Sequence, residues 1–132
     1  MEGFKMKRKL IGLFLGLFLV FGVVGGASAA NITTGMFKEN FPEVYECIKS
    51  ESMVKWGTDY EMVKWNMKQQ MNSYIEFMLM VNKHKDTQER KIVLVAAIKW
   101  GATSKTPCGV DWEMAVWEAK NQLKAYKSLQ ED

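Results

Sequence analysis

The chain has 132 residues, enough for one compact domain, with 18 Lys and Arg, 15 Asp and Glu, and a single His. Four of the basic residues but only one acidic residue precede residue 30, so the remaining chain carries 14 of each and is formally neutral. This neutral balance argues against a nucleic-acid partner or binding to an anionic membrane surface. Two Cys and one His also give little support for metal or nucleophilic chemistry.

The N-terminal segment has the order of a secretory signal peptide. Four basic residues between positions 5 and 9 precede an uncharged apolar run, Leu10 to Val24, and residues 27–29 supply small side chains for cleavage. We therefore expect residues 1–29 to be removed and residues 30–132 to form the mature domain, in a periplasmic or secreted location. An uncleaved anchor is the alternative, although the run is shorter than the roughly 20 residues that a spanning helix needs. No later run is long enough for stable membrane insertion.

Two segments of the chain resemble each other. Residues 57–74 align with residues 109–126 without a gap, and eight of the eighteen positions are identical. Upstream, residues 53–57 resemble residues 97–101. This self-similarity predicts a repeated supersecondary unit, and the alternative is two amphipathic helices of similar composition. The identical pairs are Gly57/Gly109, Asp59/Asp111, Glu61/Glu113, Met62/Met114, Trp65/Trp117, Lys68/Lys120, Gln70/Gln122 and Tyr74/Tyr126.

The first unit, about residues 40–84, is predicted to be a helical hairpin. Pro42 suits the first turn of a helix, and Gly57 suits the left-handed cap that ends one. Asp59 is a good N-cap for a second helix, which should run to about Lys83.

The second unit, about residues 86–130, repeats this plan. Asp86, with a Glu three residues later, resembles a capping box for a helix that should stop at Gly101. Asp111 should cap a fourth helix that runs to about Gln130. The predicted fold is therefore all-α: a four-helix bundle made of two tandem, sequence-related helical hairpins.

The two cysteines, Cys47 and Cys108, predict one disulfide, because an even pair in an exported chain is normally oxidised. Two separate buried thiols are the alternative. Neither Cys has a second metal ligand at close spacing, so a zinc site is disfavoured.

An apolar stripe with helical spacing marks the core side of the second and fourth helices. Met67 and Met71 in the second helix align with Ala119 and Leu123 in the fourth, so the methionines are interpreted as core filler and not as a copper site. The stripe residues are Tyr60, Val63, Met67, Met71, Tyr74 and Met78, and their counterparts Trp112, Ala115, Ala119, Leu123 and Tyr126.

The side of each of these helices opposite the stripe carries a tryptophan among polar residues. A tryptophan left in water exposes a large apolar area, so we predict that these faces bind a protein partner. Packing of each helix on two neighbours, in a layered bundle or a dimer that exchanges units, is the alternative. The candidate partner-binding residues are Met62, Trp65 and Gln69 in the second helix and Met114, Trp117 and Asn121 in the fourth.

These features predict a non-enzymatic interaction protein without a cofactor or metal, such as an inhibitor, an immunity protein or a chaperone-like protein. Homodimer formation is left open. The alternative is a periplasmic carrier of a small ligand or metal, with a cavity between the hairpins. A hydrolase that uses the duplicated carboxylates Glu61 and Glu113 is a third hypothesis, but capping and helix-dipole effects explain these acids. The single histidine, His84, is expected at a solvated helix end.

Overall fold

The computed structural model describes residues 33–84 and 86–131, and these residues form five α-helices and no strand. The described chain is therefore all-α, as predicted. The predicted signal peptide, residues 1–29, lies outside the described residues. No helix in the described ranges combines the length and the apolar character needed to span a bilayer. In chain order the helices are α1 (Thr34–Asn40), α2 (Pro42–Trp56), α3 (Tyr60–Lys83), α4 (Thr87–Lys99) and α5 (Trp112–Glu131).

The short helix α1 was not predicted from the sequence. It is capped by Thr33, whose hydroxyl accepts a hydrogen bond from the backbone N–H of Met36 at 3.1 Å. Seven residues are too few to display a helical period, which is why the pattern did not reveal it. Phe37 and Phe41 are buried, and both rings meet the ring of Tyr74 on α3 edge-on. Through these rings α1 closes one side of the core.

The predicted boundaries of the other helices are confirmed. α2 begins at Pro42, and it is followed by Gly57 at φ 57°, a left-handed conformation that glycine adopts without strain. Asp59, Asp86 and Asp111 each accept hydrogen bonds from backbone N–H groups in the first turns of α3, α4 and α5. These caps satisfy N–H groups that have no partner within the helix, and so they fix where each helix starts.

The helices pack mainly in two pairs. α2 packs on α3, α4 packs on α5, and the two pairs meet along α3 and α5. Gln70 on α3 bonds to Asp111, just before α5, and further along both helices Glu76 on α3 pairs with Lys120 on α5. The contacts thus follow in the same order along α3 and α5. α3 and α5 therefore run in parallel. α3 is the central helix, since it also contacts α4.

The core lies where the two pairs meet. Trp112 is only 2% exposed, and its ring centroid is 4.8 Å from that of Tyr74 and 5.4 Å from that of Phe77. Aromatic rings in such tilted contacts contribute more than their buried area alone. Other core residues on α3, α4 and α5 are Met71, Ile75, Met78, Val81, Val93, Leu94, Ala96, Ala97, Ala115, Val116, Ala119 and Leu123.

One disulfide joins Cys47 on α2 to Cys108 in the connection between α4 and α5, with 4.9 Å between the Cα atoms. The predicted pairing is confirmed. The ends of the same connection are tied together, because the backbone N–H of Asp111 donates to the carbonyl of Trp100 at 3.0 Å. A disulfide of this kind indicates an oxidising compartment.

The prediction that Tyr60 belongs to the core is wrong. Tyr60 is 66% exposed, whereas its aligned counterpart Trp112 is buried. Helical period identifies the side of a helix that faces inward, but not how far the neighbouring helices extend. Tyr60 is the first residue of α3, and α5 begins only at the level of Gln70, ten residues later. Of the remaining α3 stripe, Val63, Met71, Tyr74 and Met78 are buried and Met67 is half-buried.

Candidate functional site

The two predicted tryptophans lie on the outside of the described chain. Trp65 on α3 is 52% exposed and Trp117 on α5 is 56% exposed. Of the other four predicted residues, Asn121 is exposed, and Met62, Gln69 and Met114 are half-buried. We call Met62, Trp65 and Gln69 the α3 tryptophan face, and Met114, Trp117 and Asn121 the α5 tryptophan face.

The two tryptophan faces lie at different heights along the parallel helices. Gln70 is level with Trp112, because its side-chain oxygen accepts the backbone N–H of Trp112. Trp65 precedes Gln70 by five residues, and Trp117 follows Trp112 by five residues. At the helical rise per residue this separates the two indoles by about 15 Å along the helix direction. A partner that touches both faces therefore needs a contact surface of at least that length.

A polar groove of about 170 Å³ lies between α2 and α3, and we call it the α2/α3 groove. Ser52 and Asn66 are buried in it, and the Asn66 amide donates to the Ser52 hydroxyl at 2.8 Å. Residues 109–111 also line this groove, and the backbone N–H of Gly109 donates to the carboxylate of Glu51. The connection that follows α4 is thus seated in the groove of the preceding helix pair.

A second groove, of about 280 Å³, lies between α4 and α5, and we call it the α4/α5 groove. Apolar side chains of α4, among them Ile92 and Val95, form one wall. Glu118 on α5 is only 6% exposed, and its carboxylate accepts hydrogen bonds from the ammonium group of Lys99 and from the Gln122 amide, the latter at 3.0 Å. This groove therefore combines an apolar wall with one paired charge.

The electrostatic environment of Glu118 keeps its carboxyl group ionised. Hydrogen bonds from Lys99 and Gln122 lower the pKa of Glu118 below its ordinary value, against the opposite effect of desolvation. A carboxylate that is charged at neutral pH has no proton to donate and is a poor general acid. The ammonium group of Lys99 already neutralises its charge, so it does not attract another cation. The arrangement favours a structural role for this ion pair.

The two grooves are lined by residues at matching positions of the two similar segments. The sequence alignment paired these positions but could not show that they face a groove, which is why Glu118 was missed as a site residue. Where the linings of the two grooves differ, the residues on α4 are less polar than the matching residues on α2. The identical pairs are Ile48/Ile92, Lys55/Lys99 and Gln70/Gln122, and the changed pairs are Glu51/Val95, Ser52/Ala96 and Asn66/Glu118.

The side-chain amide of Gln70 holds the start of α5 against α3. Its Oε1 accepts the backbone N–H of Trp112 at 2.7 Å, and its Nε2 donates to the carboxylate of Asp111 at 3.0 Å. The ring of Trp112 then covers Tyr74 and Phe77. We call this set of contacts the Gln70 clamp, and through it the α4/α5 pair attaches to α3.

A third cavity, of about 370 Å³, lies between α1 and α3. Phe37, Met71 and Ile75 form its apolar part, while Lys64 and Lys68 are exposed at its edge. This cavity leaves part of α3 uncovered beside α1.

In the part of the chain that the structure describes, no three His, Cys, Asp or Glu side chains are grouped so that they could hold a metal ion. The expectation of a solvated His84 is wrong. His84 is buried at the end of α3, with its Nδ1 2.8 Å from the Glu89 carboxylate, and Arg90 donates to its carbonyl oxygen at 3.2 Å. The start of α4 brings Glu89 to the imidazole ring and Arg90 to the backbone of His84, which a helix-end argument does not anticipate.

Comparison with known proteins supplies no family for this chain. No known family, no curated protein and no solved structure matches it. Its function is therefore inferred from the exposed faces and grooves of the chain itself.

Proposed function

We propose that this chain is an exported, non-enzymatic interaction protein that binds a protein partner through its α3 and α5 tryptophan faces. One observation carries the proposal: Trp65 and Trp117 occupy matching positions in the two similar segments, and both are more than half exposed. Neither indole is part of the buried core. Tryptophan is enriched among the residues that dominate protein–protein binding.

The energetic gain from covering these tryptophans is large enough to matter. Each leaves about 100 Å² of largely apolar surface in water. Covering that area on a partner contributes about 2–3 kcal/mol per indole. Met62 and Met114 lie one turn before the tryptophans, and their flexible thioethers can adapt to the shape of a partner. An inhibitor, an immunity protein or a chaperone-like protein would use such faces.

We further infer that the fold is a four-helix bundle of two tandem hairpin units, about residues 40–84 and 86–130. The matching caps at Asp59 and Asp111 support this inference, as do the matching linings of the two grooves. A duplicated unit presents its tryptophan face twice. Two linked contacts on one partner raise the overall affinity beyond that of either contact.

Export of the chain is supported by two independent features. The first 29 residues have the charge and hydrophobicity pattern of a signal peptide. The Cys47–Cys108 disulfide is of the kind that persists in an oxidising compartment. We therefore propose that residues 30–132 form the mature protein in a periplasm or outside the cell.

A comparative capture experiment tests the proposed partner binding. The exported protein, with its disulfide intact, is immobilised and exposed to extracts of its native envelope, in parallel with a Trp65→Ser/Trp117→Ser variant. Val54→Ser is the matched control, because Val54 is an exposed apolar residue on α2 outside both faces. We expect the double variant to lose a protein that the wild type and the control both retain.

Circular dichroism separates a binding defect from a folding defect. The double variant should keep the helical signal of the wild type, since both indoles are more than half exposed. A double variant that captures the same proteins as the wild type would contradict the proposal. A double variant that unfolds would also contradict it, because the tryptophans would then belong to the core.

The alternative function, a small-ligand carrier, is favoured by one observation. The α4/α5 groove has a volume of about 280 Å³ and an apolar wall on α4, close to the lower limit for small-molecule sites. The carrier hypothesis expected a cavity between the two hairpins, but this groove lies within the α4/α5 pair. Native mass spectrometry of protein purified from its own host tests this alternative. A bound mass that is lost in Val95→Lys would support it, and apo protein alone would contradict it.

A further inference from the structure

Two large apolar side chains are exposed at opposite ends of the parallel helices α3 and α5. Tyr60, at the start of α3, is 66% exposed, and Leu129, near the end of α5, is 75% exposed. In the alignment of α3 with α5, Tyr60 corresponds to Trp112 and Leu129 corresponds to Phe77. Trp112 and Phe77 are buried and in contact, with ring centroids 5.4 Å apart. The two exposed residues are therefore the counterparts of a buried contacting pair.

The polar residues of the Gln70 clamp also have exposed counterparts. Gln70 corresponds to Gln122, which is exposed on α5, and Asp111 corresponds to Asp59, which is exposed at the start of α3. Tyr74 corresponds to Tyr126, which is only half-buried. Gln122 bonds to Glu118 within the free chain through its Nε2, so its Oε1 remains available to accept a backbone N–H.

We propose that copies of this chain associate head to tail by repeating the Gln70 clamp between molecules. The start of α3 in one copy, Asp59 and Tyr60, packs against the end of α5 in another, where Gln122, Tyr126 and Leu129 take the places of Gln70, Tyr74 and Phe77. This proposal rests on the tandem repeat proposed above. It uses no residue of either tryptophan face, so the two binding proposals can fail separately.

The cavity between α1 and α3 begins one turn of α3 after the proposed contact at Tyr60. Lys64 and Lys68, which follow Tyr60 by one and two turns, line this cavity and are exposed. The last turn of an incoming α5 would enter there and bring Glu131 towards these two lysines, which is an attractive arrangement of charges.

The contact between copies should be weaker than the contact within one chain. Two polar interactions of the internal interface have no counterpart, because Glu51 corresponds to Val95 and Glu76 corresponds to Ser128. The disulfide, which holds residues 109–111 in the α2/α3 groove, has no counterpart either. We therefore expect a reversible, concentration-dependent association.

The contact is heterologous, because it joins two different surfaces of the same chain. When two copies associate, one keeps a free α3 start and the other keeps a free α5 end. Further copies can therefore add to form a longer chain, or the two ends can meet and close a ring. A contact with two-fold symmetry would instead stop at a dimer. This difference makes the proposed geometry testable by mixing variants.

Sedimentation analysis of the exported, oxidised protein tests the proposal. Tyr60→Ser removes one half of the contact and Leu129→Ser removes the other, and each variant alone should dissociate with a Kd raised about tenfold or more. An equimolar mixture of the two variants keeps one intact contact, so it should form a dimer and nothing larger. Tyr60→Phe and Leu129→Met should associate like the wild type.

The tryptophan faces supply the control that separates the two proposals. Trp65→Ser/Trp117→Ser should associate with itself as the wild type does. A wild type that remains monomeric up to about 1 mM would overturn the head-to-tail proposal. So would a monomeric mixture of Tyr60→Ser with Leu129→Ser, or a Tyr60→Ser variant that assembles like the wild type. None of these results would affect partner capture through the tryptophans.

Discussion

Gly101, just after α4, lies against Gly109, which shortly precedes α5. A Cβ atom at Gly101 would overlap the carbonyl oxygen of Gly109 and would stand 3.2 Å from the Cα of Val110. Gly101 also has φ 117°, a conformation that side-chain-bearing residues rarely adopt. The chain therefore crosses itself at a point where only glycine fits, and this crossing places Val110 and Asp111 at the start of α5.

Replacing Gly101 should be far more damaging than replacing Gly57, which matches Gly101 in the upstream alignment of residues 53–57 with residues 97–101. Gly101→Ala should lower the free energy of unfolding by about 3 kcal/mol or more, because backbone strain and a backbone clash add together. Gly57→Ala should lower it by about 1 kcal/mol, since Gly57 has a positive φ but open space around its Cα. Urea unfolding of both variants checks this, and equal losses would show that the crossing is not tightly constrained.

The disulfide should account for a large part of the stability. Cys47 and Cys108 are 61 residues apart, and a cross-link over a loop of that length contributes about 4 kcal/mol through the entropy of the unfolded chain. The Cys47→Ser/Cys108→Ser variant should therefore lose about that amount relative to the oxidised wild type in denaturant unfolding. The wild type under reducing conditions is the control and should match the variant. A variant as stable as the oxidised protein would refute this prediction.

The ion pair of Glu118 predicts how stability depends on pH. Its pKa is lower in the folded state than its ordinary value of 4.5, so the carboxylate stabilises the fold above pH 4.5. This contribution is lost as the pH falls below 4.5 and through the lowered folded pKa. Glu118→Gln should be less stable than the wild type at neutral pH, and the difference should shrink in acid. Urea midpoints that stay equally far apart across this range would contradict the prediction.

The hydroxyl of Tyr74 is expected to destabilise the core. It is buried, no hydrogen-bond partner for it is found among the described residues, and burial raises the pKa of Tyr74 above its usual range. Tyr74→Phe removes the unpaired group and keeps the ring contacts. The free energy of unfolding, measured with heat or urea, should therefore rise by about 1 kcal/mol. The aligned Tyr126 is the control, because its hydroxyl accepts a bond from Gln130 near the surface. A clear loss of stability in Tyr74→Phe would mean that the hydroxyl is bonded.

Much of the fold could be predicted because its signals are local. An aspartate that caps a helix acts within one turn, so Asp59, Asp86 and Asp111 revealed the helix starts. The disulfide followed from an even cysteine count in a chain with an export signal. The outward placement of Trp65 and Trp117 also followed from helical period, because a period reports the direction of a side chain relative to the core.

Helical period, capping residues and the cysteine count are enough to predict the four longer helices, their caps, the disulfide and the two outward tryptophans, but not the short helix α1. The folded chain was needed to show that Tyr60 is exposed where Trp112 is buried, that Glu118 is a buried carboxylate, and that the paired segments form two grooves. Capping and periodicity act within a few residues of the chain, so they can be recognised before the fold is known. Burial instead depends on which distant helix covers a side chain, and on where along its length that helix begins.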